Sequence, residues 1–157
     1  MRRSPWLLGA LLAALLLLAL WHYAGRRPAG RVVRASWTLT PGVLNPAVAQ
    51  GTIRETICVR GWTATVRPPS SYTTQLKGEQ MRAYGLGGAL ADYQEDHLIS
   101  LELGGDPTDP RNLWPEPYPR AAAVDRIENE LNAKVCAGSL SLRAAQEQES
   151  VLKHGQG

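Results

Sequence analysis

The first hydrophobic feature of the chain is an apolar run, mostly Leu and Ala, from Trp6 to Trp21, within a segment of 18 residues that ends at Tyr23. Arginines flank it on both sides, at positions 2, 3, 26 and 27. As a helix this segment would be about 27 Å long, slightly shorter than a bilayer core of about 30 Å. The pattern predicts an N-terminal apolar helix in residues 1–24 that is either a cleaved signal peptide or an uncleaved membrane anchor, followed by a tether over residues 25–36.

Beyond residue 36 the apolar positions follow shorter patterns that are typical of an α+β domain. Residues 56–66 alternate β-branched and other residues, which predicts one or two short strands. Residues 70–85 have the spacing of a helix, with Ser70 or Ser71 available as its N-terminal cap and Gly85 as its end.

The second half of the chain predicts the order strand, loop, strand, helix. Residues 93–103 are expected to be extended with a bend near Ser100, the segment GGDPTDPR forms a turn-rich loop, and residues 112–114 resume an extended structure. A further helix should follow a cap at Ser139 or Ser141 and reach about Lys153. The clearest helix covers Arg120–Cys136, with a core-facing stripe of Val124, Ile127, Leu131 and Val135.

The net charge changes sign when the N-terminal segment is set aside. The whole chain carries +3, but six of its 17 basic residues lie before residue 35. Residues 35–157 contain 11 basic and 14 acidic residues, a formal charge of −3. The basic composition is therefore no argument for nucleic-acid binding, and a polyanionic substrate would have to meet a local basic patch or a metal ion.

The cysteine count favours an oxidising compartment. Cys58 and Cys136 are the two cysteines of the chain, and an even number in an apparently exported protein predicts one disulfide. It would close a loop of about 79 residues and stabilise the fold by about 4 kcal/mol on the chain-entropy model. The alternative is a pair of reduced, buried thiols in a cytosolic domain. Nothing in the sequence indicates an oligomer.

The candidate chemistry lies in the stretch EDHLISLELGG and in the long helix. His97 is a candidate general base, because its ordinary pKa lies near 6.5. Asp125 and Glu128 are three residues apart and so lie on one side of the helix. Together with Asp96 and Asn112 they offer oxygen ligands, which suit Mg²⁺, Mn²⁺ or Ca²⁺. The two helical acids could equally form a solvated face.

These residues, in this order, resemble the core of HNH nucleases, also called ββα-metal or His-Me finger nucleases. The resemblance depends on EDHLISLELGG, then DPTDPRNLW, then a helix, and it covers about residues 92–136. It extends to a group of small exported bacterial and phage proteins with this core. It implies a small α+β domain over residues 37–157, with a ββα-metal core and flanking helices.

The resemblance also implies roles for individual residues. His97 would deprotonate the water that attacks phosphorus, and Asn112 would hold the loop that orients His97. Asp96 would bind one divalent ion, Mg²⁺ or Mn²⁺, with Asp125 or Glu128 in place of the last histidine of the family pattern. The implied function is a metal-dependent endonuclease that hydrolyses phosphodiester bonds of nucleic acid. Arg111 is a candidate for binding the substrate phosphate.

The chain departs from the family pattern in two places. No histidine follows Asn112 until His154, and Ser100 stands where the family would be expected to have proline. The serine at position 100 is expected to alter the bend of the chain there and little else. The missing histidine and the charge of −3 both favour an alternative, in which the domain is a catalytically degenerate module that binds or supports other molecules outside the cytoplasm. A third possibility is a phosphoesterase or other hydrolase that acts on envelope material.

Overall fold

The computed structural model of the chain describes residues 33–155. The predicted signal peptide or membrane anchor over residues 1–24 lies outside the described residues, and so does most of the predicted tether. Within residues 33–155, no helix is both long enough and apolar enough to cross a membrane.

The described part of the chain is a small α+β domain with four helices and one antiparallel pair of strands. The elements follow in the order predicted for the second half of the chain, strand, loop, strand and helix, with helices before and after them. Their bounds are α1 Trp62–Val66, α2 Ser70–Ala83, β1 Tyr93–His97, β2 Leu113–Pro117, α3 Tyr118–Cys136 and α4 Leu142–Gly155.

The register of the β1–β2 hairpin places the candidate residues at its closed end. Asp96 lies opposite Trp114, and His97 lies opposite Leu113. Side chains of neighbouring residues in a strand point to opposite faces of a sheet, so Asp96 and His97 leave the hairpin on different sides. The backbone N–H of Leu98 donates to the carbonyl of Asn112 at 2.7 Å, which continues the pairing one step into the loop.

The loop between the strands turns on two glycines. Gly104 has φ = +78°, a left-handed conformation that favours glycine. A Cβ on Gly105 would lie 1.8 Å from the carbonyl oxygen of Ile99 and 2.6 Å from Nδ2 of Asn112. Only glycine therefore allows the loop to pass this close to the end of β1.

The core joins α3 and α4 to the loop. Val124, Leu131 and Val135 are buried, as the predicted stripe requires, but Ile127 is 37% exposed. Ile127 thus lies at the edge of the buried face. The largest buried cluster contains Val48, Ile53, Ile57, Ile99, Leu103, Leu131, Val135, Leu142 and Ala145.

The predicted disulfide is confirmed. Cys58 and Cys136 are bonded, and their Cα atoms lie 5.6 Å apart. The bond attaches the segment before α1 to the C-terminal end of α3, and Cys58 itself packs against the buried cluster.

Two local predictions in the first half of the domain were wrong. Residues 56–66 form turns and the short helix α1, because their backbone N–H groups bond to carbonyls a few residues earlier, as Cys58 does to Ile53 at 2.9 Å. Helix α2 begins at Ser70, but Pro69 occupies its cap position and no side chain caps it. The predicted cap by Ser141 is confirmed for α4, since its Oγ accepts from the N–H of Ala144 at 3.2 Å.

Candidate active site

The candidate residues of the hairpin and of α3 meet at one polar pocket. Its volume is about 330 Å³. Asp96 and His97 reach it from the end of β1, and Asp125 and Glu128 reach it from successive turns of α3. The complete lining consists of Arg67, Gln94, Asp96, His97, Ser100, Leu101, Glu102, Asp125, Glu128 and Asn129.

The hydrogen bond of His97 determines which nitrogen of its ring carries the proton. Nε2 lies 3.0 Å from the carbonyl oxygen of Pro107. A carbonyl only accepts, so Nε2 must donate, and the neutral ring keeps Nδ1 as its proton acceptor. Burial lowers the pKa of His97 and so favours the neutral form. A neutral imidazole with Nδ1 unprotonated can act as a general base.

Asn112 holds the loop that carries Pro107. Its Nδ2 donates to the carbonyls of Ile99 at 3.0 Å and Asp106 at 2.9 Å. Its Oδ1 accepts from the N–H of Ile99 at 3.0 Å. The side chain is fully buried. Asn112 therefore links the end of β1 to the residue immediately before Pro107, the partner of His97.

Acidic side chains from β1, α3 and α4 surround an ammonium group. Nζ of Lys153, from the last turn of α4, lies 2.8 Å from Oδ2 of Asp96 and 2.6 Å from Oε1 of Glu128. It also lies 3.1 Å from Oε1 of Glu149 and donates to the carbonyl oxygen of His97. Lys153 is fully buried. Three carboxyl groups and one carbonyl thus converge on a single buried cation.

The pKa values in this cluster follow from having more carboxylates than cations. Burial raises the pKa of Asp96, but the nearby Lys153 outweighs it and holds that pKa below its ordinary value. Burial raises the pKa of Glu128 to about 9 and also raises that of Glu149. Burial lowers the pKa of Lys153, but the surrounding carboxylates raise it well above its ordinary value. At neutral pH we therefore assign charges to Lys153 and Asp96, and a proton to Glu128.

Ser100 has a larger part than the expected change of bend. Its backbone N–H lies 3.0 Å from both carboxylate oxygens of Glu149, and its Oγ donates to Oε2 at 3.4 Å. A proline at this position would have no N–H to donate. The expectation that the departure from proline changes little else was wrong, because Ser100 positions one of the acids that hold Lys153.

The other predicted site residues lie at or outside the rim of the pocket. Asp125 lines the pocket, although most of its side chain is exposed. Its partial burial and, to a smaller extent, repulsion from Asp96 raise the pKa of its carboxyl group. Arg111 is bonded to Asp109 at 2.6 Å and is not among the residues that line the pocket. Arg67, which follows α1, is the basic side chain that lines the pocket among the described residues.

The expected divalent ion does not fit between Asp96 and Glu128 while Lys153 lies there. The two carboxylates do converge on one point, and their oxygen atoms suit Mg²⁺ or Mn²⁺. That point is the position of Nζ. Within residues 33–155, no group of three or more His, Cys, Asp or Glu side chains is arranged to hold a metal ion. The ligand roles of Asp96, Asp125 and Glu128 stay predictions.

No role was predicted for Lys153 or Glu149 from the sequence, although the chain contains a signal for them. Both lie on the buried face of α4 together with Leu142 and Ala145, at spacings of three and four residues. An acid and a base four residues apart on an apolar helix face indicate a buried ion pair. Their partners could not be identified from that spacing.

Comparison of the chain with protein-family models, with curated proteins and with solved structures found no match. The functional interpretation therefore depends on the residues and geometry of this chain.

Proposed function

We propose that the chain hydrolyses phosphodiester bonds of nucleic acid with His97 as the general base. The observation that carries the proposal is the hydrogen bond from Nε2 of His97 to Pro107, which leaves Nδ1 as the proton acceptor of a ring that lines the pocket. Asn112 supports this arrangement by fixing the loop before Pro107. The disulfide favours an oxidising compartment, so we place the activity outside the cytoplasm, with the N-terminal segment as an export signal or membrane anchor.

In the proposed reaction, Nδ1 of His97 takes a proton from water while the water oxygen forms a bond to phosphorus. The bond from phosphorus to the leaving oxygen breaks, and that oxygen is protonated by solvent. Arg67 is placed to bind the phosphate oxygens, since it is the cation that lines the pocket within residues 33–155. This assignment replaces Arg111, which is bonded to Asp109.

The resemblance to HNH nucleases also implies Mg²⁺ or Mn²⁺, which would stabilise charge on the phosphate. We assign no step of the reaction to a metal, because Lys153 holds the point between Asp96 and Glu128. The requirement for a divalent ion stays a prediction, and the assay below tests it.

The proposal is tested by cleavage of plasmid DNA and of a single-stranded RNA by the purified full-length protein. Each substrate is incubated with EDTA, with Mg²⁺ and with Mn²⁺. Loss of a general base should reduce the rate about 10²- to 10⁴-fold in His97→Ala. Arg67→Ala should weaken substrate binding, and Arg54→Ala is its matched control because Arg54 is exposed and lies outside the pocket lining. An unchanged rate in His97→Ala would exclude this histidine as the base.

One observation favours a second candidate function, an extracytoplasmic binding or structural module without catalysis. The pocket contains four carboxylates and one arginine, and its internal cation is buried away from any substrate. Under this alternative the wild-type protein should cleave neither substrate under any of the three conditions, and His97→Ala should alter only its stability.

A further inference from the structure

We propose that a second pocket beside the candidate active site binds a phosphate group of the same nucleic-acid strand. The inference rests on the proposed function and specifies its substrate class, a strand with at least two phosphates rather than a small phosphodiester. Arg67 binds the phosphate that is cleaved, and Arg60 binds a neighbouring phosphate in the second pocket.

The second pocket is polar and lies next to the active-site pocket. Its volume is about 280 Å³, and Arg60 and Asn132 contribute polar groups to its lining. Glu102 lines both pockets, so the two pockets adjoin at this side chain. Helix α1 packs on the turn Leu101–Leu103, which carries Glu102. Arg60 precedes α1 and Arg67 directly follows it, so each end of this helix brings one arginine to one pocket.

The backbone that carries Arg60 is held on both sides. Cys58, two residues earlier, is bonded to Cys136 at the end of α3. Gly61, the next residue, has φ = +84°, a left-handed conformation that favours glycine and turns the chain into α1. The backbone at Arg60 is therefore ordered before any ligand binds, which reduces the entropy lost on binding.

Helix α3 supports both pockets and fixes their relative positions. Asp125 and Glu128 line the active-site pocket, and Asn132 lines the second pocket from the same side of the helix. Nδ2 of Asn132 donates to the carbonyls of Ile57 at 3.3 Å and Glu102 at 2.8 Å, which holds the segment before Arg60 against the turn that the pockets share. Glu128 and Asn132 are one helical turn apart, about 6 Å along α3. Neighbouring phosphates of one strand can span pockets at this spacing.

The charge of the domain makes these two guanidinium groups important for a polyanion. Residues 35–157 carry a formal charge of −3, so a strand is attracted only where cations are grouped. Arg60 and Arg67 are the arginines that line the two pockets, and neither has an ion-pair partner within residues 33–155. Arg111, Arg120 and Arg143, in contrast, are each paired with an acid. The planar guanidinium groups of Arg60 and Arg67 are therefore available for bidentate hydrogen bonds to phosphate.

Glu102 opposes the substrate, which gives the proposal a test of opposite sign. Burial raises the pKa of its carboxyl group, although the nearby Arg67 acts in the other direction. A carboxylate that lines both pockets repels a phosphate strand at both positions. Replacing Glu102 by glutamine removes that repulsion and should strengthen binding of the strand.

The test compares two ligands that differ in their number of phosphates. One is a single-stranded oligothymidylate with phosphorothioate links, which keep the negative charge and resist cleavage, and the other is the dinucleotide with one such link. Binding to the full-length protein is measured by fluorescence anisotropy over a series of salt concentrations. Arg54→Ala is the matched control for Arg60→Ala, because both arginines are exposed and Arg54 lies outside both pocket linings. Every variant keeps the N-terminal segment, so the arginines of that segment contribute equally to all measurements.

Arg60→Ala should weaken binding of the oligonucleotide about tenfold, as expected for loss of hydrogen bonds to a charged group. The slope of log affinity against log salt concentration should become shallower by about 0.7, the value for one phosphate contact on a single strand. Its affinity for the dinucleotide should not change, whereas Arg67→Ala should weaken binding of both ligands. Arg60→Lys should restore the slope, since the charge returns, and Glu102→Gln should strengthen binding of the oligonucleotide. Arg54→Ala should match the wild type.

Two results would overturn the proposal. One is the same loss of oligonucleotide affinity in Arg54→Ala as in Arg60→Ala, because the attraction would then be a general effect of positive charge. The other is an Arg60→Ala variant that binds the oligonucleotide as the wild type does. Neither readout uses cleavage, so the outcome is separate from that of the proposed function. A strand that binds through Arg60 but is never cleaved would refute the proposed hydrolysis and keep the second pocket as a phosphate site.

Discussion

Replacement of Asn112 by alanine tests the central connection in the candidate site. The side chain is fully buried and makes three hydrogen bonds, two as donor and one as acceptor. Its partners are backbone groups of Ile99 and Asp106. Alanine removes all three bonds at once and leaves those backbone groups without this partner.

The expected loss of stability follows from these contacts. A net contribution of about 1 kcal/mol for each hydrogen bond gives a loss of about 3 kcal/mol, and buried groups left unsatisfied raise it toward about 5 kcal/mol. Urea unfolding of the full-length protein, followed by circular dichroism, measures the loss as a shift in midpoint at constant slope. NMR of the His97 imidazole should also show a change, because the carbonyl of Pro107 would no longer be fixed at 3.0 Å from Nε2.

The matched control is Asn129→Ala on α3. Asn129 is exposed, and its Nδ2 donates to a carbonyl of the same helix, that of Asp125. Alanine is a better helix former than asparagine, so the control should be neutral or slightly stabilising. A loss below about 1 kcal/mol for Asn112→Ala would refute the argument that these three bonds hold the loop.

Two further predictions concern Glu95 and the disulfide. Burial raises the pKa of Glu95 from 4.5 to about 8, so the folded protein retains a proton that the unfolded chain has lost, and stability should fall as pH rises between these values. Glu95→Gln should remove on the order of 5 kcal/mol of this pH dependence in urea unfolding. Glu130→Gln, which replaces an exposed acid on α3, should keep it, and equal slopes in the wild type and Glu95→Gln would contradict the assignment. Replacing both Cys58 and Cys136 by serine should lower the free energy of unfolding by about 4 kcal/mol, and an unchanged urea midpoint would show that the bridge is not formed.

The parts of the fold that could be predicted are those whose signals are local in sequence. The stripe of α3 repeats every three or four residues, and the GGDPTDPR loop separates two short extended segments, so the order of the hairpin and helix followed directly. The prediction of strands over residues 56–66 was wrong, because alternation of β-branched residues also occurs in turns. The segment has no neighbouring strand to pair with in the described structure, and its backbone bonds are satisfied locally.

The cation could not be predicted from the sequence, because its partners are far apart along the chain. Asp96 and Lys153 are separated by 57 residues, and Glu128 and Lys153 by 25. The sequence predicted a divalent ion as the positive charge among Asp96, Asp125 and Glu128. The structure supplies that charge from the protein itself.

Helix α4 is part of the candidate site, although the resemblance to HNH nucleases ends at Cys136. Asp96 comes from the hairpin and Glu128 from α3. Lys153, which contacts both, and Glu149, its third acidic partner, come from α4. Burying such a cluster costs free energy that ion pairing alone does not reliably offset. The apolar packing of Leu142 and Ala145 against Leu131 and Val135 supplies favourable burial on the same helix. Because α4 supplies the partner of Asp96 and Glu128, a change that loosens α4 should disturb both side chains even though it lies outside the hairpin and α3.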